Sequence, residues 1–171
     1  MKKISWITHH QYDIPLPKNH KFTSSKFSDL YKELKTKDFY RNAVILSPNK
    51  ASVHDLEIVH DREYILKIKD GSLSEKENRR LGLKWSKILS NRSFLAVNGT
   101  LLTCKEALKN KIACHLAGGT HHAHKSFGSG YCVFNDIAYS SRKLIKDNFV
   151  KKILIIDLDV HQGDGTSEIL S

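Results

Sequence analysis

Chemistry-bearing side chains recur at alternate positions in residues 153–165, which read Ile-Leu-Ile-Ile-Asp-Leu-Asp-Val-His-Gln-Gly-Asp-Gly. Asp157, Asp159 and His161 follow an aliphatic run, 153–156, that is typical of a buried parallel strand. Because the side chains of a strand alternate between its faces, these three would point to one side. Asp and His suit zinc or a related divalent metal, and a bound cation would offset the cost of burying the carboxylates.

A second segment, residues 117–132, combines glycines with the adjacent histidines His121 and His122. Hydrolysis of an amide needs a metal that polarises the carbonyl group and lowers the pKa of a water molecule. It also needs a base that takes a proton from that water and an acid that protonates the leaving nitrogen. Two imidazoles can perform these transfers, so the segment is a candidate acid–base centre, whereas the nearby His124 is expected to face solvent.

The acidic residues of the first segment divide between two tasks. A carboxylate that is hydrogen-bonded to an imidazole fixes the tautomer of the ring and raises its proton affinity. Asp157 and Asp164 are available for this task beside the two histidines, which leaves Asp159 and His161 for the metal.

Hydrophobic periodicity and turn residues predict the elements that carry these segments. The predicted strands cover residues 4–8, 43–46, 56–59, 112–116 and 153–156. The predicted helices cover residues 25–35, 62–69, 74–80, 86–109 and 135–147, the first of them capped by Ser24 or Ser25. This alternation predicts an α/β fold with a mainly parallel sheet flanked by helices. Both chemistry-bearing segments follow strands that are separated by one helix, so they should open at the same edge of the sheet.

Length and composition limit the classes of protein to which the chain can belong. Its 171 residues suffice for one domain, and no apolar run approaches the roughly 20 residues of a membrane helix. The three cysteines lack paired spacing and no signal peptide is recognised, so a cytoplasmic location is expected. The net charge of +10 arises from scattered basic residues rather than a dense block, so nucleic-acid binding is not favoured.

Three motifs resemble the histone deacetylase family, in particular its bacterial and class IV-like members. They are Gly-Gly-Thr-His-His-Ala at 118–123, Gly-Tyr-Cys-Val-Phe-Asn-Asp at 130–136 and Asp-Leu-Asp-Val-His-Gln-Gly-Asp-Gly-Thr at 157–166. The resemblance implies an arginase-like, three-layer α/β architecture. It also implies a zinc-dependent hydrolase that removes acetyl or other acyl groups from lysine-like amines.

The resemblance assigns roles at the metal and at the histidines. Asp159 and His161 match two of the family's three zinc ligands, with ferrous iron as the alternative metal. His122 matches the general base, and His121 matches the histidine that assists charge balance. Asp157 matches the carboxylate partner of His121 and a contributor to a structural potassium site.

Further positions match the second carboxylate and the substrate tunnel. Asp164 matches the partner of the second histidine. Gly130 and Tyr131 match the wall of the narrow tunnel that admits the acylated chain. The substrates implied by the resemblance are acetylated lysine and acetylpolyamine-type compounds.

Two family residues find no counterpart before Ser171. They are the third zinc ligand, an aspartate, and the tyrosine that hydrogen-bonds the substrate carbonyl. Residues 1–171 are therefore expected to be the N-terminal portion of a single catalytic domain whose C-terminal half is missing. A second chain that supplies the other half would complete the site, and the alternative is a non-catalytic, truncated remnant or subunit. Whether the chain is itself an enzyme stays open at this point.

Overall fold

The sheet at the centre of the molecule contains three parallel strands in the computed structural model, which describes residues 3–23 and 25–171. These strands are β1 (Ile4–Ile7), β2 (Ala43–Leu46) and β3 (Ala113–His115), in the order β2-β1-β3. Ser5, Trp6 and Ile7 of the central strand are buried, as expected for a strand that is covered on both faces. The prediction of a parallel sheet flanked by helices is confirmed.

Helices flank this sheet throughout the described part of the chain. They are α1 (Lys26–Lys35), a 3₁₀ helix (Asp38–Asn42), α2 (Val53–Leu56), α3 (Arg62–Asp70), α4 (Glu75–Leu81), α5 (Lys87–Asn110), α6 (Asp136–Lys146) and α7 (Asp164–Leu170). The predicted limits of α1, α3, α4, α5 and α6 are correct to within one residue. Ser25 is the N-cap residue of α1, and Ser24 lies outside the described residues. None of the helices in the described ranges is long and apolar enough to cross a membrane.

Local capping explains where several helices begin and end. Ser86 Oγ accepts a hydrogen bond from Leu89 N at 3.0 Å and starts α5. Asn135 Oδ1 accepts one from Ala138 N at 2.9 Å and starts α6. Each cap satisfies a backbone donor that the first turn would otherwise leave unpaired. Gly71 ends α3 in the left-handed region, with φ of 83°.

A glycine in the interior of α5 brings this long helix against the sheet. A Cβ atom at Gly99 would lie 2.5 Å from both His115 Nε2 and Tyr12 Oη. No side chain fits there, so close packing requires the glycine despite a helix-propensity cost of about 1 kcal/mol. The contact fixes the distance between α5 and β3.

The main hydrophobic core lies where α5, which also contacts β1 and β3, packs against α3 and α6. Its fully buried side chains include residues of α3, α5 and α6: Ile65, Leu89, Val97 and Ala138. Burial of each large aliphatic side chain stabilises the fold by about 1.5 to 3 kcal/mol. The core therefore supports the sheet edge from which the loop 117–132 emerges.

Residues 153–156 do not form the buried strand that their aliphatic run predicts. They lie outside the sheet, and Leu154 and Ile156 are 84% and 72% exposed. A strand must pair its backbone with a neighbour, and within the described ranges β3 pairs with β1 alone. The predicted alternation is nevertheless present, because Leu158 and Val160 are also exposed, at 91% and 92%. These four apolar residues are called the outer row.

Residues 56–59 do not form the predicted strand either. The capping box of Ser52 and Asp55 starts the short helix α2, which ends at Leu56. Leu56 and Val59 are both buried, so the apolar residues reach the core from a helix and the turn after it. The local capping signal therefore outweighs the strand-like composition.

Candidate active site

Two imidazole–carboxylate pairs lie side by side where the loop 117–132 meets the segment before α7. His121 Nδ1 is 2.7 Å from Asp157 Oδ2, and His122 Nδ1 is 2.7 Å from Asp164 Oδ1. The centroids of the two imidazole rings are 4.2 Å apart. The structure thus brings together the four residues that the sequence selected for proton transfer.

Each carboxylate fixes the tautomer of its imidazole. An ionised carboxylate only accepts hydrogen bonds, so Nδ1 of each ring carries the hydrogen and donates it. The bond from His121 is the main cause that lowers the pKa of Asp157, and the bond from His122 is the main cause that lowers the pKa of Asp164. Both carboxylates are therefore ionised at neutral pH, and in the neutral form of each ring the lone pair that can accept a proton is on Nε2.

Asp159 and His161 lie next to these pairs. Asp159 Oδ1 accepts hydrogen bonds from the backbone N of His161 at 2.7 Å and from its Nδ1 at 2.9 Å. These two bonds are the main causes that lower the pKa of Asp159. The same oxygen is 3.8 Å from His121 Nε2, and the rings of His161 and His122 meet edge-on with centroids 5.9 Å apart. The predicted metal ligands therefore converge with the two histidines.

The chemistry of Asp159 and His161 fits zinc in part. Carboxylate oxygen and imidazole nitrogen are both zinc ligands, and catalytic zinc sites use three protein ligands. Among residues 3–23 and 25–171, no group of three or more His, Cys, Asp or Glu side chains is arranged to hold a metal ion. These residues account for two zinc ligands and no more.

A cavity of about 430 Å³ opens beside the histidines. Its lining includes the aromatic side chains of Phe22, Phe27 and Tyr131. Gly130 has φ of 52°, and a Cβ atom there would lie 2.6 Å from His122 Cδ2. Only glycine allows this wall to approach the imidazole so closely. Tyr131 is also left-handed, with φ of 66°, and its backbone N donates to Leu81 O at 2.9 Å.

A buried guanidinium also lines this cavity, and the sequence did not indicate it. Arg92 of α5 is 4% exposed. Its Nε donates to Tyr12 O at 3.3 Å, and its guanidinium carbon lies 4.8 Å from the centroid of Phe27. Burial is the main cause that lowers the pKa of Arg92. The cavity therefore combines aromatic walls with a cationic side chain.

Asp136 holds the backbone that leads into the histidine pair. Two donor groups meet each oxygen of its buried carboxylate. Oδ1 accepts from Thr120 N at 2.7 Å and lies 2.5 Å from Thr120 Oγ1, whose hydroxyl hydrogen it shares with Phe134 O. Oδ2 accepts from Gly119 N at 3.0 Å and from Thr100 Oγ1 at 2.5 Å. Because Gly119 and Thr120 directly precede His121, these bonds fix the backbone that leads into the histidine pair.

Asn135 and His60 hold the backbone that follows the histidine pair. Asn135 Nδ2 donates to Ala123 O at 3.0 Å and to Thr166 Oγ1 at 3.1 Å. His60 Nε2 accepts from Asn135 N at 2.9 Å, which makes His60 Nδ1 the donor to His124 O, also at 2.9 Å. An Asn at a helix start is a recognisable capping signal. The loop residues to which its side chain donates depend on the tertiary fold, so they cannot be recognised in the sequence.

Acid is expected to destabilise the fold through His60. Burial lowers the pKa of His60 to about 4, whereas an imidazole in the unfolded chain has a pKa of about 6.5. Between these two pKa values the unfolded state binds more protons than the folded state. The stability that the neutral His60 ring contributes is therefore fully present above pH 6.5 and is lost as the pH falls towards 4. At about 1.4 kcal/mol per pKa unit, the loss from this ring approaches about 3 kcal/mol.

Urea unfolding between pH 4.5 and 7 measures this effect. His60→Gln keeps a donor and an acceptor but does not titrate, so the unfolding free energy should depend less steeply on pH. The matched control is His54→Gln, because the side chain of His54 is 88% exposed. Equal pH dependence in His60→Gln and the unmodified chain would contradict the assignment.

Two further side chains, His124 and Cys132, lie beside the site. The expectation that His124 faces solvent is wrong, because its side chain is 15% exposed and its ring stacks on Phe127 with centroids 4.3 Å apart. Cys132 lines the cavity, and burial raises the pKa of its thiol to about 12. The thiol is therefore protonated at neutral pH and is a poor nucleophile.

Comparison with known proteins gives consistent matches. The histone deacetylase domain family matches residues 20–171. An uncharacterized protein of Picosynechococcus sp. is 40% identical over 163 residues, which are 95% of this chain and 54% of that protein. The acetoin utilization protein AcuC of Staphylococcus aureus is 35% identical over 147 residues, 77% of this chain and 38% of that protein. Histone deacetylase 2 of Arabidopsis thaliana is 30% identical over 174 residues, 96% of this chain and 45% of that protein.

The solved structures give a matching fold. The crystal structure of the HDA15 HD domain superimposes with a TM-score of 0.80 at 17% sequence identity. The match covers 99% of this chain and 50% of that one. This chain therefore has the deacetylase fold over its length and spans about half the length of the proteins that it resembles.

Proposed function

Because this chain belongs to the histone deacetylase family, we propose that residues 1–171 are the N-terminal portion of the catalytic domain of a zinc-dependent amidohydrolase. The reaction proposed is removal of acetyl or related acyl groups from lysine-like amines. The observation that carries the proposal is the pair of imidazole–carboxylate contacts at 2.7 Å beside Asp159 and His161. Amide hydrolysis needs groups that accept and return a proton, and two imidazoles of fixed tautomer meet that need.

In this proposal His122 is the general base and His121 assists it. Nε2 of His122 takes a proton from water as the water oxygen forms a bond to the amide carbon. The resulting imidazolium is stabilised by Asp164, which accepts from Nδ1 of the same ring. The proton then passes to the leaving nitrogen as the carbon–nitrogen bond breaks. The pair of His121 and Asp157 balances charge in the same space.

Asp159 and His161 are the proposed metal-binding residues. A zinc ion, or ferrous iron as the alternative, would supply Lewis acidity that polarises the carbonyl and lowers the pKa of water. Two protein ligands bind zinc more weakly than three, so a further ligand is part of the proposal. A structural potassium site that includes Asp157 is proposed from the family resemblance alone.

The proposed substrate is an acetylated lysine or an acetylpolyamine-type chain. Gly130 and Tyr131 would form one wall of its entry. Phe22 lies 5.6 Å from Tyr131 between ring centroids, and His20 lies 5.7 Å from Tyr131. Aromatic walls suit the methylene groups of such a chain, because apolar rings bury the apolar surface of these groups.

The exposure of the outer row supports the proposal that further polypeptide completes the site. Contiguous exposed apolar side chains normally mark an interaction surface. We propose that polypeptide corresponding to the remaining length of the relatives, in the same chain or a second one, covers Leu154, Ile156, Leu158 and Val160. It would also supply the third metal ligand and the group that binds the substrate carbonyl. The second candidate function, a non-catalytic subunit, is favoured by the two-ligand metal site.

Zinc-dependent deacetylation of an acetyl-lysine peptide tests the proposal. The chain would be assayed in two preparations, alone and together with the remaining part of the Picosynechococcus relative. Turnover is expected only in the presence of zinc, and addition of a chelator should end it. Zinc titration by calorimetry provides the second measurement. Asp159→Asn should weaken binding by more than about tenfold, whereas the control Asp38→Asn, at an exposed position, should not change it.

The outcomes separate the two candidate functions. Equal zinc affinity in Asp159→Asn and the unmodified chain would remove the metal assignment. Weak zinc binding without turnover in either preparation would favour the non-catalytic subunit.

A further inference from the structure

The carboxylate of Asp164 is held at both of its oxygens. Oδ1 accepts from His122 Nδ1 at 2.7 Å and from Gly165 N at 3.0 Å. Oδ2 lies 3.4 Å from His124 Nε2, an ion-pair distance at which the two groups attract each other when both nitrogens of the ring carry hydrogen. The other nitrogen of this ring, Nδ1, contacts Glu168 Oε2. Asp164 and Glu168 lie four residues apart in α7, so their side chains share one face of the helix.

The other imidazole–carboxylate pair shows what an anchored carboxylate requires. Oδ2 of Asp157 accepts from His121 Nδ1, and its Oδ1 accepts from Asp159 N at 3.0 Å. The backbone therefore holds the outer oxygen of that carboxylate. At Asp164 the backbone bond falls on the oxygen that already serves the histidine, and His124 is the contact of the outer oxygen.

Asp164 needs such an anchor because its side chain is 45% exposed. Rotation about the Cβ–Cγ bond of an aspartate is soft, and a carboxylate held at one oxygen can turn away from its partner. Loss of this orientation would free the tautomer of His122, which the bond to Asp164 sets. The contact at Asp164 Oδ2 therefore affects the orientation of the His122 ring.

His124 is itself fixed in place. Its ring stacks on Phe127 with centroids 4.3 Å apart and an interplanar angle of 20°. The guanidinium carbon of Arg80 covers the Phe127 ring at 4.3 Å. The backbone N of His124 donates to Phe127 O at 2.9 Å, and its carbonyl accepts from His60 Nδ1 at 2.9 Å. The stacking fixes the ring and the two hydrogen bonds fix the backbone of His124, so its side chain can hold Asp164 in turn.

We propose that His124 is a positioning residue of the site: with Glu168 it anchors Asp164, and through Asp164 it fixes the tautomer and orientation of His122. His124 does not touch the reacting atoms. The effect on turnover rests on the proposed function, whereas the effect on the His122 ring does not.

Nuclear magnetic resonance of the imidazole rings tests the proposal in the full chain. Two-bond ¹H–¹⁵N spectra should show a single Nδ1–H tautomer for His122. His124→Phe keeps the stacking on Phe127 but removes both nitrogens, so a mixture of tautomers is expected. His124→Gln keeps one donor to Asp164 and should restore the single tautomer. The exposed His54→Gln is the matched control and should leave the His122 signals unchanged.

Turnover provides the second readout in the active preparation. His124→Phe should lower kcat about tenfold with little change in KM, and His124→Gln should recover most of that loss. A single His122 tautomer in His124→Phe overturns the proposal, whether or not turnover falls. If His124→Phe does not fold, Glu168→Ala replaces it, and the same mixture is expected. If no preparation turns over, the tautomer decides this proposal and only the proposed function fails.

Discussion

Replacement of His122 by glutamine is expected to lower kcat for an acetyl-lysine substrate by about 10²- to 10⁴-fold, the range for loss of a general acid–base group. Glutamine retains hydrogen-bonding groups but has no basic nitrogen, so it cannot take a proton from water. KM should change little, because the proton transfer belongs to the transition state rather than to substrate binding. Asp164 would remain in place, since its other contacts do not involve the base.

Steady-state kinetics in the active preparation measures this effect, and His54→Gln serves as the control at an exposed position. Thermal unfolding should give similar midpoints for both variants and the unmodified chain, because the side chain of His122 is not part of the apolar core. A loss of less than about tenfold would show that another group is the base.

Substitution of Asp136 by asparagine is expected to lower the free energy of unfolding by about 3 kcal/mol. Four donor groups meet the buried carboxylate, two at each oxygen. An amide replaces one acceptor oxygen by a donor, so the two donor groups on that oxygen lose their acceptor. The same change releases the backbone before His121, and turnover should fall with stability.

Urea unfolding at pH 7 measures the stability, with Asp70→Asn as the control. Asp70 is exposed at the end of α3, so its change should stay within about 0.5 kcal/mol. Equal stability of Asp136→Asn and the unmodified chain would mean that the hydrogen bonds at Asp136 do not hold the loop.

Much of the fold could be predicted from local patterns. Strand β2 and the helices α1, α3, α4, α5 and α6 follow from their periodicity and from residues that cap them. The two predicted strands that the structure lacks, at 56–59 and 153–156, are both short and rich in aliphatic residues. At 56–59 a capping box starts a helix instead, and at 153–156 no described neighbour pairs with the backbone. A strand depends on a partner that lies elsewhere in the chain, whereas a helix bonds to itself.

The site was predictable to the extent that its residues are adjacent or alternate in the sequence. The neighbouring His121 and His122 and the alternating Asp157 and Asp159 meet as expected. Arg92 and Asp136 could not be placed from the sequence, and the expectation that His124 faces solvent is wrong, because each of the three acts on a residue far away in the chain. Charge and residue type do not show whether such a side chain points into a cavity, into a loop or into water.

The outer row and the site residues alternate along one short segment, and this has a thermodynamic consequence. Rotation of the segment about its axis moves Leu158 and Asp159 together, so the two faces cannot respond independently. A molecule that reorients the segment on binding the outer row would also move Asp159, one of the two proposed metal ligands. If a metal ion binds there, linkage requires that each ligand changes the affinity for the other by the same factor. The alternation of the two faces would thus couple the outer row to the proposed metal ligands.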